Sequence, residues 1–208
     1  MDFIPANESR FYIWFFTTYT QWLMRRRFAS VQIRQEYNPD RTRSTIYYLN
    51  HTSWWDGLIP LYLNKQVFKQ QARALMEDKQ MQEHRFFSKI GAFSINLNDP
   101  RSSIRSLRYA VESLKRPNSC LFIYPEGRIN PPGTTNFSFK NGLSWIISQT
   151  PEADIVPIAI QFDFSAHSKP DLHITIGERI DITNASKDQF NQLLINGLQQ
   201  LMNTGSGP

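Results

Sequence analysis

Hydrophobic positions along this chain fall into two rhythms. Compact apolar runs closed by polar residues occur at Ile46-Tyr47-Tyr48-Leu49, Leu121-Phe122-Ile123-Tyr124 and Ile155-Val156-Pro157-Ile158-Ala159-Ile160. Runs of that length without polar alternation predict strands buried on both faces. Residues 30–36 and 172–176 alternate apolar with polar, the pattern of half-exposed strands, and 72–76 and 92–97 read as two short strands. The second rhythm is helical. Apolar spacing predicts helices over 58–63, with Pro60 tolerable in the first turn, and over 81–90, capped by Gly91. A further helix opens at Pro100, carries apolar Ile104, Leu107, Tyr109, Ala110, Val111 and Leu114, and stops before Pro117. Two more run from Gly142 to Gln149 and over 186–202. Asn38-Pro39-Asp40 marks a turn and 130–133 a loop. Pro157 lacks a backbone donor, which predicts an edge position or an irregular pairing for its strand. Strands alternating with helices, with no repeat or linker, predict one α/β domain whose mixed, mostly parallel sheet is flanked by helices.

One stretch departs from both rhythms. Residues 11–24 are crowded with aromatics, and Arg25-Arg26-Arg27 follows directly. At about 1.5 Å per residue such a helix is too short for a hydrocarbon core of roughly 30 Å. Its threonines, Gln21 and lack of a small-residue cleavage pattern argue against a signal peptide. As a helix it sets Tyr12, Phe15, Phe16, Tyr19, Trp22 and Leu23 along one broad side. Aromatic and cationic residues together suit a helix lying in a membrane interface. The same periodicity also suits a helix docked on the protein's own core, and the two readings are compatible on different faces. The expected organisation is an aromatic and basic helix over 1–28, a main domain over 29–203 and a flexible tail over 204–208.

Composition narrows the partners. The chain of 208 residues carries a net charge of +5 and an isoelectric point near 9.4, which suits phosphate, nucleic acid or lipid headgroups. Its single cysteine, Cys120, excludes an intramolecular disulfide framework, favours a reducing compartment and is most simply a small buried residue. No Gly-x-Ser-x-Gly elbow is present, since Gly142-Leu143-Ser144-Trp145-Ile146 lacks the second glycine. Phosphate-loop glycine motifs are absent too. His51, His84, His167 and His173 show no paired ligand spacing, so no metal site is expected.

Candidate chemistry gathers at two strand ends. Asn50-His51-Thr52-Ser53-Trp54-Trp55-Asp56 follows the first apolar run, and residues just past a strand's carboxyl end are where α/β proteins build sites. A neutral imidazole takes a proton from an alcohol near neutral pH, and a carboxylate on its far nitrogen fixes the tautomer. The same residues also read as a helix start, with Thr52 or Ser53 capping and Asp56 in the first turn. At the second strand end, Glu126-Gly127-Arg128 offers a carboxylate, a flexible backbone amide and a guanidinium that can grip phosphate. Taken singly it is an ordinary turn.

The two segments together resemble the glycerolipid acyltransferase family, typified by the lysophosphatidic acid acyltransferases. Residues 50–56 match its block of Asn-His, four variable residues and Asp. Tyr124-Pro125-Glu126-Gly127-Arg128 matches its aromatic-Pro-Glu-Gly block. Phe139-Lys140-Asn141-Gly142 and Val156-Pro157-Ile158 look like its two later segments, in the right order over roughly residues 46–160. Gly91-Ala92-Phe93-Ser94-Ile95-Asn96 fits its remaining block, but Leu97 stands where that family carries a strand-end arginine, and Arg101 is the candidate substitute. The resemblance implies acyl transfer from an acyl-CoA or acyl carrier protein thioester to the hydroxyl of a lyso-lipid such as lysophosphatidate. His51 would be the base, oriented by Asp56, with Asn50, Ser53, Arg101, Glu126, Gly127 and Arg128 shaping the substrate site. A thioester brings its own leaving group, so no cofactor is expected. The implied setting is a cytoplasmic protein, peripheral on the inner face of the membrane, with no nucleic-acid partner. Two alternatives stand beside this one. Leu97 leaves room for a phosphate-free lipid alcohol such as a glycolipid or glycosyl carotenoid, and the basic, aromatic-rich face also fits a non-catalytic membrane-binding protein.

Overall fold

The computed structural model describes residues 3–164, 168–183 and 185–204. Its centre is a seven-stranded sheet of order β1-β7-β6-β2-β5-β3-β4. The strands are β1 (Val31–Gln35), β2 (Thr45–Leu49), β3 (Gln71–Glu77), β4 (Ala92–Ile95), β5 (Ser119–Ile123), β6 (Asp154–Asp163) and β7 (Asp171–Ile176). From β6 to β4 all neighbours run parallel, β7 is antiparallel to β6, and β1 follows β7. The helices are α1 (Arg10–Arg27), α2 (Ile59–Leu63), α3 (Asp78–Glu83), α4 (Phe86–Lys89), α5 (Pro100–Leu114), α6 (Gly142–Gln149) and α7 (Lys187–Thr204). The fold is the expected single α/β domain. Of the expected tail over 204–208, Thr204 closes α7 and the other four positions lie outside the described residues.

Every residue of β2 and of β5 is buried, because helices cover both faces of the sheet. Side chains alternate across β2. Tyr47 and Leu49 join a core with Leu23, Met24, Ile59 and Leu63, while Ile46 and Tyr48 join a second core with Ala110, Leu143, Ile146 and Leu194. Each buried leucine, isoleucine or methionine among them contributes about 1.5–3 kcal/mol of hydrophobic stabilisation. The two tyrosines keep their hydroxyls satisfied by donating to Gln70 Oε1 at 2.8 Å and to the Leu194 carbonyl at 3.0 Å.

Three expectations change in detail. β6 is an interior strand, not an edge, despite Pro157. Its ladder with β7 ends at Ile158 paired with Ile176; one step on, Gly177 N–H donates to the Pro157 carbonyl at 3.0 Å. Pro157 stays in register with Tyr48 of β2, and on the β7 side it only accepts, just past the last ladder pair, which is the irregular pairing its missing donor requires. The helix expected over 81–90 breaks at His84 into α3 and α4, which turns Phe86 onto Phe16 of α1 at 4.2 Å between ring centres. Gly91 follows at φ +104, where a Cβ would meet the Ala72 carbonyl oxygen at 2.6 Å.

The third change concerns α1. It buries Thr17, Thr20, Leu23 and Met24 against the protein and leaves Phe11, Tyr12, Trp14, Phe15, Tyr19 and Trp22 exposed, Trp14 by 64%. The broad aromatic side is thus divided: Leu23 turns inward, Phe16 sits between, and the rest face outward. The three arginines close its last turn, where cations favour the helix dipole, and Phe28 beyond it packs on Trp55 at 5.8 Å. No helix among the described residues is long and apolar enough to cross a membrane.

Candidate active site

Parallel pairing of β2 with β5, Tyr48 opposite Ile123, brings both strand ends to one edge of the sheet. Asn50 is 1% exposed, and its amide both donates to and accepts from the backbone of Ile160 in β6, at 2.8 and 2.7 Å. That exchange ties the end of β2 to its neighbour and fixes where the chain turns out of the sheet. A short 3₁₀ turn, Trp54–Gly57, follows.

His51 Nδ1 lies 2.9 Å from Asp56 Oδ2. Asp56 is fully buried, and the same oxygen accepts from the backbone N–H of Thr52 at 2.6 Å and of Ser53 at 2.9 Å, while Oδ1 accepts from the Ser53 hydroxyl at 2.9 Å. A carboxylate reaching back to the residue before its own turn is one half of a capping box. The helix-start and the His/Asp readings therefore describe one arrangement, because the bonds that hold the turn also hold the carboxylate against the imidazole. With its proton on Nδ1, facing the carboxylate, the neutral ring presents a lone pair at Nε2. Nε2 has no hydrogen-bond partner among the described residues, and 22% of the side chain is open to solvent.

Tyr124 closes the other side of the ring. Its ring lies tilted against the imidazole at 4.5 Å between centres, and its hydroxyl donates to the backbone carbonyl of Asp56. Burial, together with the nearby Asp56 charge, pushes the Tyr124 hydroxyl far above its ordinary value, so it stays a donor. Glu126 is buried at 3% exposure, and both oxygens are used: Oε2 accepts from Asn130 Nδ2 at 2.6 Å and Oε1 from Ser138 N–H at 3.2 Å. Asn130 N–H in turn donates to the His51 carbonyl at 2.8 Å. Glu126 thus braces the loop that holds the histidine's backbone.

Gly127 has φ +62, and its N–H donates to the Tyr124 carbonyl at 3.1 Å. Arg128 follows it exposed, and Arg101 is exposed in the first turn of α5, where its backbone N–H is capped by Asp99. Neither guanidinium forms an ion pair among the described residues. The structure therefore gathers His51, Asp56, Ser53 and Glu126 into one bonded cluster with Gly127 on its loop. Arg101 is joined to it by no hydrogen bond or ion pair among the described residues. Tyr124 and Asn130 belong to the cluster although sequence reasoning gave them no part in the site. Tyr124 was legible as a motif member. Nothing local distinguished Asn130 from any polar loop residue. No cluster of three or more metal-ligating side chains occurs among the described residues, from which His167 is missing.

No curated protein matches the sequence. Among solved structures, the crystal structure of the 1-acyl-sn-glycerophosphate (LPA) acyltransferase PlsC from Thermotoga maritima superposes with a TM-score of 0.68 at 17% identity. The match covers 94% of this chain and 81% of that one, and at this identity it speaks for the fold. The site's strand ends and loop fall inside residues 30–161, which match the family model named Acyltransferase. That span is more than half of the chain, and the protein belongs to the acyltransferase family.

Proposed function

We propose that the protein transfers a fatty acyl group from an acyl-CoA or acyl carrier protein thioester to the hydroxyl of a lysophospholipid, with lysophosphatidate as the leading acceptor. The observation that carries this reading is the open Nε2 of His51 behind a buried, four-times bonded Asp56, inside a domain of the acyltransferase family. Nε2 removes the acceptor's proton as its oxygen attacks the thioester carbonyl. The tetrahedral intermediate collapses, the C–S bond breaks, and the thiolate takes the proton back from the imidazolium. Asp56 holds the tautomer and stabilises the imidazolium. The thioester supplies the leaving group, so the reaction needs no cofactor. Membrane attachment through the aromatic face of α1 would bring the site to its lipid acceptor without any spanning segment, as a peripheral protein of the inner face.

Leu97 favours a second acceptor class, a phosphate-free lipid alcohol, because the end of β4 carries no cation. Both readings meet in one assay. Protein on liposomes receives palmitoyl-CoA or palmitoyl acyl carrier protein with lysophosphatidate, monoacylglycerol or a glycolipid, and thiol release is followed with the product's mass. Turnover is expected to fall by about 10²–10⁴-fold in His51→Ala with the far-ultraviolet dichroism unchanged. Residual turnover above a few per cent would remove His51 from the base's role. Absence of thiol release with every acceptor, beside intact liposome binding, would favour the non-catalytic reading.

A further inference from the structure

The site loop crosses two side chains at one point. A Cβ on Gly127 would lie 3.0 Å from Leu97 Cδ1, 3.2 Å from Lys140 Cε and 3.3 Å from Lys140 Nζ. Leu97 arrives from the end of β4, and Lys140 from the segment that opens α6. Lys140 is held at its backbone, where its N–H donates to the Pro125 carbonyl at 2.9 Å, while its neighbour Phe139 is buried in the second core. The anchored backbone and the inward Phe139 direct the Lys140 side chain over the loop and across the glycine. Its ammonium has no ion pair or hydrogen bond among the described residues. The acidic neighbour in the loop, Glu126, has already spent both oxygens on Asn130 and Ser138. An exposed cation with no ion pair among the described residues therefore stands beside the loop whose other residues carry Tyr124 against His51 and Asn130 against the His51 backbone.

We infer that Lys140 binds the anionic phosphate of the acceptor and sets the preference for phosphate-bearing over phosphate-free lipid alcohols, an inference that rests on the acceptor reading above. Leu97 matters as the apolar wall of the same point: the end of β4 supplies no charge there, and the segment before α6 supplies it instead. One ammonium gives a point charge without the two-pronged geometry of a guanidinium, so it holds a phosphate without dictating its orientation. Gly127 suits this point on two counts, its positive φ and the close contact a Cβ would make with Leu97 and Lys140.

The test separates binding from turnover. Hexanoyl lysophosphatidate and monohexanoylglycerol are titrated into the full chain by calorimetry, for wild type, Lys140→Met, Lys140→Arg and the double variant Lys140→Met with Leu97→Arg. Lys140→Met is expected to lower the affinity ratio of phosphate-bearing to phosphate-free ligand by roughly 10- to 100-fold, as loss of a charge-assisted contact does. Lys140→Arg keeps most of the ratio, and adding Leu97→Arg, which returns a cation to the Leu97 side of Gly127, restores part of it. An unchanged ratio in Lys140→Met overturns the inference, and so does a wild-type protein that binds both ligands equally. A protein that shows the Lys140-dependent ratio yet transfers no acyl group from any donor would leave this inference standing and remove the acyltransfer reading.

Discussion

Asp56 is asked to do two things at once, and the cost of replacing it should show both. Its Oδ2 accepts two backbone N–H groups besides His51 Nδ1, at a fully buried position. Truncation strands those donors, and each unsatisfied buried group costs about 1–3 kcal/mol. His51, partly open to solvent and bonded by one nitrogen, strands little when removed. Urea unfolding should therefore place Asp56→Ala well below wild type and His51→Ala within about 1 kcal/mol of it, while both lose turnover. Equal midpoints for the two variants would mean that the turn holds itself without the carboxylate. At this scale the sequence exposes residue types at strand ends: His51, Asp56 and Glu126 were legible because a polar block follows an apolar run. The part played by Asn130 was not, since its bond to the His51 carbonyl arises from the path of a loop that no local pattern encodes. Glu126 was legible as a carboxylate, but its burial as a brace depends on Ser138 returning from twelve residues away.

Along an element, periodicity says that a face exists without saying which face turns inward. In α1 the aromatic periodicity suits a membrane interface and the protein's own core alike, and the helix packs through threonines, Leu23 and Met24. Small residues allow the close approach to the neighbouring helices, and only the three-dimensional packing reveals that choice. The consequence is testable, because exposed aromatics contribute little to the core. Replacing Trp14, Phe15 and Trp22 by serine should leave the thermal midpoint within a few degrees of wild type. Flotation with vesicles of phosphatidylglycerol and phosphatidylcholine should weaken by at least about tenfold, since interfacial binding scales with buried apolar area. Undiminished flotation would move any membrane contact elsewhere, and a collapsed midpoint would show that the face is packed in solution. Other elements were read to within a few residues. Where they differ, at the α3–α4 break and in the interior placement of Pro157, the deciding contacts are long-range ones to α1 and β7.

Across the whole molecule, the sheet's far edge is joined to α1 by an arm that periodicity did not announce. Ile4 pairs with Ser94 of the edge strand β4, accepting its N–H at 2.9 Å and donating to its hydroxyl at 2.8 Å. Asn7 and Ser9 donate to the Ser88 and Lys89 carbonyls, and Phe3 packs edge-on against Phe93 and Tyr109. The arm covers an edge that would otherwise present unpaired backbone groups, and α1 starts immediately after it. Glu8 fastens it by ion pairs to Arg73 at 2.9 Å and Arg116 at 3.2 Å. Burial alone would raise this carboxyl, but the Arg73 hydrogen bond, with the charges of Arg73 and Arg116, outweighs it and holds the folded value below the ordinary 4.5. Above the unfolded value the carboxylate is ionised in both states and its stabilising contribution is complete. As pH falls through the lower folded value, the group is protonated in the native protein and the contribution disappears. The arm should thus stay closed at neutral pH and loosen only below about pH 4.5, ahead of the central strands. Amide exchange, corrected for intrinsic rates, should show protection at Asn7, Ser9 and Ser94 falling across that acid interval while β2 and β5 hold. Glu8→Gln, which has no charge to lose, should show weaker protection at neutral pH and no step on acidification. A step of undiminished size in Glu8→Gln would assign the loosening to another carboxylate and leave the arm held by its backbone bonds and Phe3 alone.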